Sequence, residues 1–539
     1  MKAKFKIGLA MLTVAASTVA GCNLFKKNKT EPGTVAFWSS FGGAYTTVLN
    51  GVVDGIQNET GIKIEHTSQG SYDKINSDMI SAIAVGDYPN IAMGYPDHFA
   101  TYLSSGILKP LDSYLSEADI ADYYTEYMNE NYFYDDGGQN AQKKIYALPF
   151  NKSTELLGYN GVFVDYCASL DGKAELADIP QSWDEWEVQG PKYNEVFQSL
   201  MGKKVYGVQS TEGSASQFEV LGENDAAPAG KKLLLDMSKV DPNTSVLMSW
   251  DATDNAFITL TRQWRAEYTN LPESEKTKTA KKRIGEVLFN SSTNQPKVID
   301  MLKYFNKLNK AGIFGTPQSL GGSYSSDAFE KCNVMFMICS SGGLSYNTAV
   351  WEHRFRVSPI PYKYADNKQV ISQGANICLT DRGEFENSVK VIKALTTGKF
   401  QTEWCLQTGY YPCSKSALES AEYQAFLNED KTLPAEQAYD PAKATRVAYR
   451  EGSKLNSKYY MNQEDENHNK VYASADLEWN KFVDPAFKGS SELRQVVKNV
   501  LSGVFAIENV DDTAAYAAKL NELENAPTLK GVSTIKFVH

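Results

Sequence analysis

Apolar positions along the chain switch between two periods. Thr34 to Trp38 forms a short strand-like run that enters a loop of mostly small residues, Ser39-Ser40-Phe41-Gly42-Gly43. Tyr45, Val48, Leu49, Val52, Val53 and Ile56 then recur at helical spacing, which predicts a helix ending at Gly61. Ile62, Ile64 and His66 alternate as a strand does. Ile75, Met79, Ala82 and Ile83 mark a second helix stopping near Gly86, Asn90 to Met93 a further strand, and Phe99 to Leu103 a short helix with its stop at Gly106. Strand, helix, strand, helix in this order predicts a parallel-rich α/β unit.

Lys144 to Asn160 interrupts that order with two apolar runs, Ile145 to Leu148 and Leu156 to Tyr159, separated by a polar step containing Pro149. Proline cannot donate to a central ladder, so the step reads as a crossing between two sheets, with an ordinary hairpin as the alternative. In the crossing reading Asn151, Ser153 and Thr154 face a cleft between lobes. Beyond it, Ser182 and Glu185 have capping-box spacing, and Val205 to Gln209 reads as a strand. Phe257, Leu260, Thr261, Trp264 and Tyr268 share a helix face, and Val298 to Leu308 forms another, closed by Gly312. Glu273 to Arg283 reads as surface insertion. Val334 to Cys339 is a buried strand running into Ser340-Ser341-Gly342-Gly343, and later helices are marked by Phe385 to Leu395 and Leu493 to Leu501. In open α/β sheets ligands bind beyond the carboxyl ends of strands, which makes Ser39 to Gly43 and Ser340 to Gly343 candidate cleft walls; tight turns account for them equally well.

The 539-residue length fits two to four domain-sized units, and 42% hydrophobic with 22% charged residues is globular. Met1 to Lys6 is basic and Ile7 to Ala20 apolar but shorter than the ~20 residues that span a bilayer, so residues 1–21 read as a signal peptide. Val19-Ala20-Gly21-Cys22 resembles a bacterial lipobox, which makes Cys22 a lipidation site and residues 22–33 a tether to the outer face of the cell membrane. The net charge of -11 becomes -14 once the leader's three lysines are removed, 51 basic against 65 acidic residues, and disfavours nucleic acid. Six further cysteines form no CxxC pair and with five scattered histidines argue against a metal site; buried free thiols are the simpler reading. The 31 tyrosines and 8 tryptophans suit sugar faces, although most must be packing. Nucleophile-elbow, zinc-protease, phosphate-loop, dinucleotide and EF-hand motifs are absent.

The segments FWSSFGG (37–43), TGIKIEH (60–66), VGDYPNIAMGYPDHFATYLSSGILKPLD (85–112), YALPFNKSTELLGYN (146–160), IPQSWDEW (179–186), AFEKCNVMFMICSSG (328–342), SPIP (358–361) and TGYYP (408–412) in this order resemble the extracellular solute-binding proteins of ABC importers, in the branch of carbohydrate receptors that includes maltose-binding protein. The resemblance implies a two-lobed α/β fold, each lobe a central mixed sheet flanked by helices, with several interlobe crossings and hinge closure over a solute. It divides the chain into a lobe of 34–149 plus 326–361 and a lobe of 150–325 plus 362–539, with crossings in Lys144 to Asn160, near Ser323 to Phe329 and after Ser358 to Pro361. It nominates Tyr95, Asp97 and His98 as ligand contacts. Trp38 and Phe41 offer ring faces beside Ser39 and Ser40. Ser153, Thr154 and Ser341 to Gly343 fall where the maltose receptor places a carboxylate and a stacking tryptophan, which argues against maltose itself, and Tyr410 and Tyr411 compensate for ring contacts missing near Ser490 and Ser491. The implied protein is a monomeric, lipid-anchored receptor without a cofactor that delivers a sugar or oligosaccharide to importer membrane subunits. A secreted glycosidase, needing only two carboxylates, and a receptor serving a membrane sensor are the alternatives.

Overall fold

The computed structural model describes residues 31–209, 214–322, 324–347, 355–429, 441–461, 463–464, 470–471 and 479–539. The expected leader, Cys22, most of the tether and Ser323 lie outside the described residues.

The first helical stripe forms Gly43–Thr60 and buries Leu49, Val52, Val53 and Ile56; full burial of such a side chain stabilises by roughly 1.5–3 kcal/mol. The second forms Tyr72–Val85, with the Ser71 side chain accepting from the Lys74 N–H. Both cover a five-stranded mixed sheet in the order Lys63–Ser68, Thr34–Ser39, Ile91–Gly94, Asn376–Leu379, Ala147–Pro149. The first three strands are parallel and Asn376–Leu379 runs antiparallel to its neighbours. This sheet is the centre of the first lobe.

The second lobe is built on a seven-stranded sheet. Its main path runs Phe314–Gly315, Met248–Trp250, Phe336–Ser340, Ser153–Asn160, Lys368–Gln373, Trp479–Phe482, and Phe355–Ser358 lies beside Ser153–Asn160. Helix Trp183–Leu200 opens with the expected reciprocal cap between Ser182 and Glu185, at 3.2 and 3.1 Å. Gln295–Lys310 forms as its periodicity predicts. Two helical readings shorten. Thr253–Gln263 stops early because Arg265 takes a φ of 58°, which carries Tyr268 off the helix, and the C-terminal stripe divides into Ser490–Val497 and Val500–Val504.

The polar step after Pro149 is a crossing: Ala147–Pro149 belongs to the first sheet and Ser153–Asn160 to the second. The other expected crossings are displaced. Residues 326–361, assigned from the sequence to the first lobe, supply Phe336–Ser340 and Phe355–Ser358 to the second sheet. Near the expected crossing at Ser323 to Phe329, helix Ser325–Glu330 stays with the second lobe, where Ser325 bonds Ser249 and Asp251. After Pro361 the chain remains in that sheet through Gln373, crosses at Gly374 and Ala375, and enters the first sheet at Asn376. Within 362–539, Asn376–Leu379 and helices Phe385–Thr396 and Gly398–Thr408 therefore belong with the first lobe, the last packing on Gly43–Thr60. The physical reason is strand pairing: Phe336–Ser340 is apolar on both faces and needs a central place, which it finds between Met248–Trp250 and Ser153–Asn160.

The segment read as surface insertion is a bridge between lobes. Arg283 is buried and donates from Nη1 to the Tyr134 carbonyl at 2.7 Å and from Nη2 to the Asp135 carbonyl at 2.6 Å. The Ala280 N–H donates to Asp136 at 2.6 Å.

The two described crossings meet. Lys152 and Glu130, with side chains 1% and 2% exposed, form an ion pair, and Lys152 Nζ also donates to the Gly374 carbonyl at 2.8 Å. Gly374 has a φ of +93°, and a Cβ there would lie 1.9 Å from the Asn151 carbonyl oxygen, so only glycine permits the approach. Breaking a buried pair strands a charge, which costs about 3–5 kcal/mol, whereas replacing both partners by apolar groups is close to neutral. Urea unfolding of Lys152→Met is accordingly expected to show a loss of that order, and Lys152→Met with Glu130→Leu to recover most of it.

Candidate functional site

Between the lobes lies a cavity of about 1050 Å³. Its walls are the ends of strands and the starts of helices. On the first lobe, Ile91–Gly94 runs out into Tyr95, Asp97 and His98, and the start of Tyr72–Val85 contributes Tyr72, Asp73 and Asn76. On the second, Met248–Trp250 runs out into Asp251, Thr253 and Asp254, and Phe336–Ser340 into Gly342 and Gly343. Asp484 and helix Ser490–Val497, with Arg494 and Gln495, close one end, and Ser153, Gln373 and Gly374 of the crossings form the floor. A second cavity of about 460 Å³ lies under the bridge and shares Pro96, Glu130 and Asp484 with the first.

Tyrosine rings dominate the apolar surface. Tyr72 and Tyr95 sit with ring centroids 4.7 Å apart, and Tyr45 lies 6.0 Å from Tyr346 and 6.1 Å from Tyr410. Tyr410 stacks on Trp404 at 5.8 Å, and a Cβ on Gly342 would meet its ring at 2.5 Å, so the loop glycine is what lets that ring approach. Tyr45 spans the cleft, donating from its hydroxyl to the Gly342 carbonyl at 2.6 Å. Gln495 donates to Asp73 at 3.0 Å, a second contact between the lobes.

Charge in the cavity is mostly acidic and partly held. Arg494 donates to Asp254 at 3.0 and 3.2 Å and to Asn255. Asp484 accepts from Arg262, and burial raises its pKa; burial likewise raises that of Asp251, which accepts the Ser325 N–H at 2.6 Å. Asp97 accepts the N–H of His98 at 3.1 Å, and burial holds His98 below the usual imidazole range, leaving it neutral. Behind the wall, Glu155 is buried against the Trp250 indole N–H at 2.9 Å, and burial raises its pKa to about 8. Among the described residues no His, Cys, Asp and Glu group could hold a metal ion, and the six cysteines from Cys167 to Cys413 are unpaired and buried.

Of the residues expected from the sequence, Tyr95, Asp97, His98, Ser153, Gly342, Gly343 and Tyr410 line the cavity. The others stand behind it. Trp38 is half-buried in its strand, Ser39 bonds His66 at 2.7 Å, Ser40 is buried, and Phe41 packs on Trp404 at 4.8 Å. Asn151 donates to the Tyr72 hydroxyl at 2.7 Å and so positions a wall residue. Ser341 accepts the Thr154 N–H at 3.2 Å, and Tyr411 donates its N–H to the Lys152 carbonyl at the crossing. Tyr45, Tyr72, Asp251, Asp254, Tyr268, Asp484 and Arg494 were not anticipated. Asp251 to Asn255 was within reach, because it follows a strand and opens a helix as Ser340 to Gly343 does. Arg494 and Asp484 carry no local pattern.

Fold and cavity together define a two-lobed binding protein. The chain belongs to the bacterial extracellular solute-binding proteins, whose family model matches residues 52–435. It is 24% identical over 406 residues to the sn-glycerol-3-phosphate-binding periplasmic protein UgpB of Escherichia coli O1:K1, covering 74% of this chain and 78% of that protein. Its fold matches UgpB from Mycobacterium tuberculosis, solved with glycerophosphocholine, at a TM-score of 0.61 and 16% identity over 92% of this chain and 98% of that one. The GacH receptor of Streptomyces glaucescens, solved unliganded and with acarbose, matches at 0.58 and 14% over 93% and 99%.

Glu155 gives the site wall a pH dependence. Its carboxyl is protonated more readily folded than unfolded, so its contribution to stability is complete below the ordinary carboxyl value of 4.5 and is lost as pH rises through about 8. The loss is on the order of 5 kcal/mol. Thermal unfolding of Glu155→Gln is expected to lack this decline between pH 5 and 8.

Proposed function

We propose that the protein is a monomeric extracytoplasmic receptor that binds a hydroxyl-rich solute, a sugar or oligosaccharide, between its lobes and passes it to the membrane subunits of an ABC importer. The observation that carries this reading is the interlobe cavity itself, large enough for more than one sugar ring and lined by tyrosine faces and carboxylates. A neutral polyol is strongly hydrated, so a receptor must replace its water bonds with planar acceptors and cover its C–H faces with rings. Asp97, Asp254, Asn76 and Gln373 supply the acceptors; Tyr45, Tyr72, Tyr95 and Tyr410 supply the rings. Small residues before Cys22 support lipid anchoring at the outer face of the membrane.

Relatives that take sugars or glycerol phosphates across the same fold support the receptor role, and UgpB adds phosphorylated polyols to the ligands worth testing. Tyr45 and Asp73, each bonded to the opposite lobe, act as clasps that form on closure. No chemical step is assigned to the cleft.

A thermal-shift screen over a glycan and polyol panel tests this. A ligand at 100 times its Kd should stabilise the protein by roughly 2.7 kcal/mol. Asp97→Ala is expected to weaken the hit at least tenfold while leaving the unliganded melting temperature within about 2 °C of the original. Turnover of a glycan in place of saturable binding would contradict the reading.

A further inference from the structure

The cavity's charge does not balance. The first lobe lines it with Asp73, Asp97 and Glu130, the second with Asp251, Asp254, Asp327, Asp484 and Glu492. Against these eight acids stand Arg494 and Lys498, with His98 neutral. Arg494 donates to Asp254 and Asn255, and the charge of Asp97 acts on the same guanidinium, so this cation is already compensated by protein carboxylates. Lys152 and Arg262, behind the wall, offset Glu130 and Asp484. Acid remains in excess, and an anion entering the cleft meets like charge.

Asp97, Asp254, Asp484 and Arg494 line the cavity with Tyr268, and their charges act on its hydroxyl. Tyr268 is 2% exposed, lines the cavity, and its hydroxyl has no hydrogen-bond partner. Thr253 and Thr269, 2% and 4% exposed, line the same cavity with hydroxyls equally without partners, and Asp484 Oδ2 is buried without one while Oδ1 takes both Arg262 donors. Buried polar atoms in a folded protein are paired, and these four line the cavity, so their partners must come from what the cavity holds. Tyr95 and Tyr72, whose ring centroids lie 4.7 Å apart, line the same cavity, and tyrosine rings attract ammonium groups.

We infer that the cleft takes a hydroxylated ligand carrying a positive charge, an oligosaccharide with a free amino group being the fitting class, with its ammonium at the corner formed by Asp97, Asp484 and Tyr268, and that it rejects phosphate esters. The inference rests on the receptor reading above and sharpens its substrate class. The carboxylates accept the ammonium hydrogens, and Tyr268, Thr253 and Thr269 bond the ring hydroxyls beside it. A phosphate dianion would find a guanidinium already bonded to Asp254, and Lys498, set among eight acids.

Titration calorimetry on the full chain tests this with cellotriose and maltotriose, each beside an analogue in which one ring hydroxyl is replaced by a free amine, and with glycerol 3-phosphate. The expected result is an amine analogue binding at least tenfold more tightly than its neutral parent, a preference that shrinks on going from 20 to 300 mM salt and falls in Asp484→Asn and Tyr268→Phe; the two variants keep the test open should one fail to fold. Neutral parents binding as well as their amine analogues would overturn the charge assignment and leave the receptor reading intact. Glycerol 3-phosphate binding, weakened by Arg494→Gln, would overturn the assignment as well. Binding of none of the five would overturn both.

Discussion

One contact holds the arrangement of lobes in register: the Lys152 ammonium, buried between the Glu130 carboxylate and the Gly374 carbonyl. Lys152 stands in the first crossing, Gly374 in the second, and Glu130 on the first lobe. Three parts of the chain far apart in sequence are thus tied at one point, and the backbones approach there so closely that residue 374 has room for no side chain. Tyr411 adds a fourth by donating to the Lys152 carbonyl. A charged pair sealed from water is poor glue compared with apolar packing, but it is selective, because a shifted register leaves an ion without its partner. The floor of the cleft is built on this point, and Glu130 reaches both cavities.

Above the pivot the lobes differ in how they meet. On one side the Tyr45 hydroxyl bonds the Gly342 carbonyl and the Ser345 hydroxyl, and Asp73 accepts from Gln495, hydrogen bonds that water can replace. On the other the bridge of Ala280 and Arg283 bonds three successive residues of the first lobe, with the guanidinium buried. The contacts between the lobes therefore have a soft side and a firm one. Carboxylates from both lobes line the cleft, so without a ligand like charges share it. A ligand that supplies hydrogen-bond donors or positive charge relieves that repulsion, which links occupancy to closure without any separate switch.

Much of this was legible in the chain. Helix stripes such as Leu49 to Ile56 and the cap at Ser182 are written in local patterns, and local patterns determine local structure; the step at Pro149 left crossing and hairpin open until the elements on both sides and the family resemblance were weighed. The lobe to which a strand belongs is a different matter. Phe336–Ser340 and Asn376–Leu379 are both continuous apolar runs, and either sheet could accept either; the choice depends on partners more than a hundred residues away. The same limit applied to the site. Gly342 follows a strand and was found from that position, and Tyr95 and Asp97 came from the family resemblance, whereas Asp484 and Arg494 reach the cavity only because the C-terminal helices pack across its end. Tyr268 was read as part of a helix face, and the positive φ at Arg265 that releases it into the cleft has no signature in the sequence.

The central claim is that the two lobes close about the Lys152 pivot over a solute. The distance between spin labels at Ser81→Cys and Asn499→Cys, exposed positions flanking the Asp73–Gln495 contact, measures that motion directly, since the native cysteines from Cys167 to Cys413 are buried. Saturating solute is predicted to convert a broad, longer distribution into a narrow, shorter one. A distribution that stays the same at full occupancy would contradict the account.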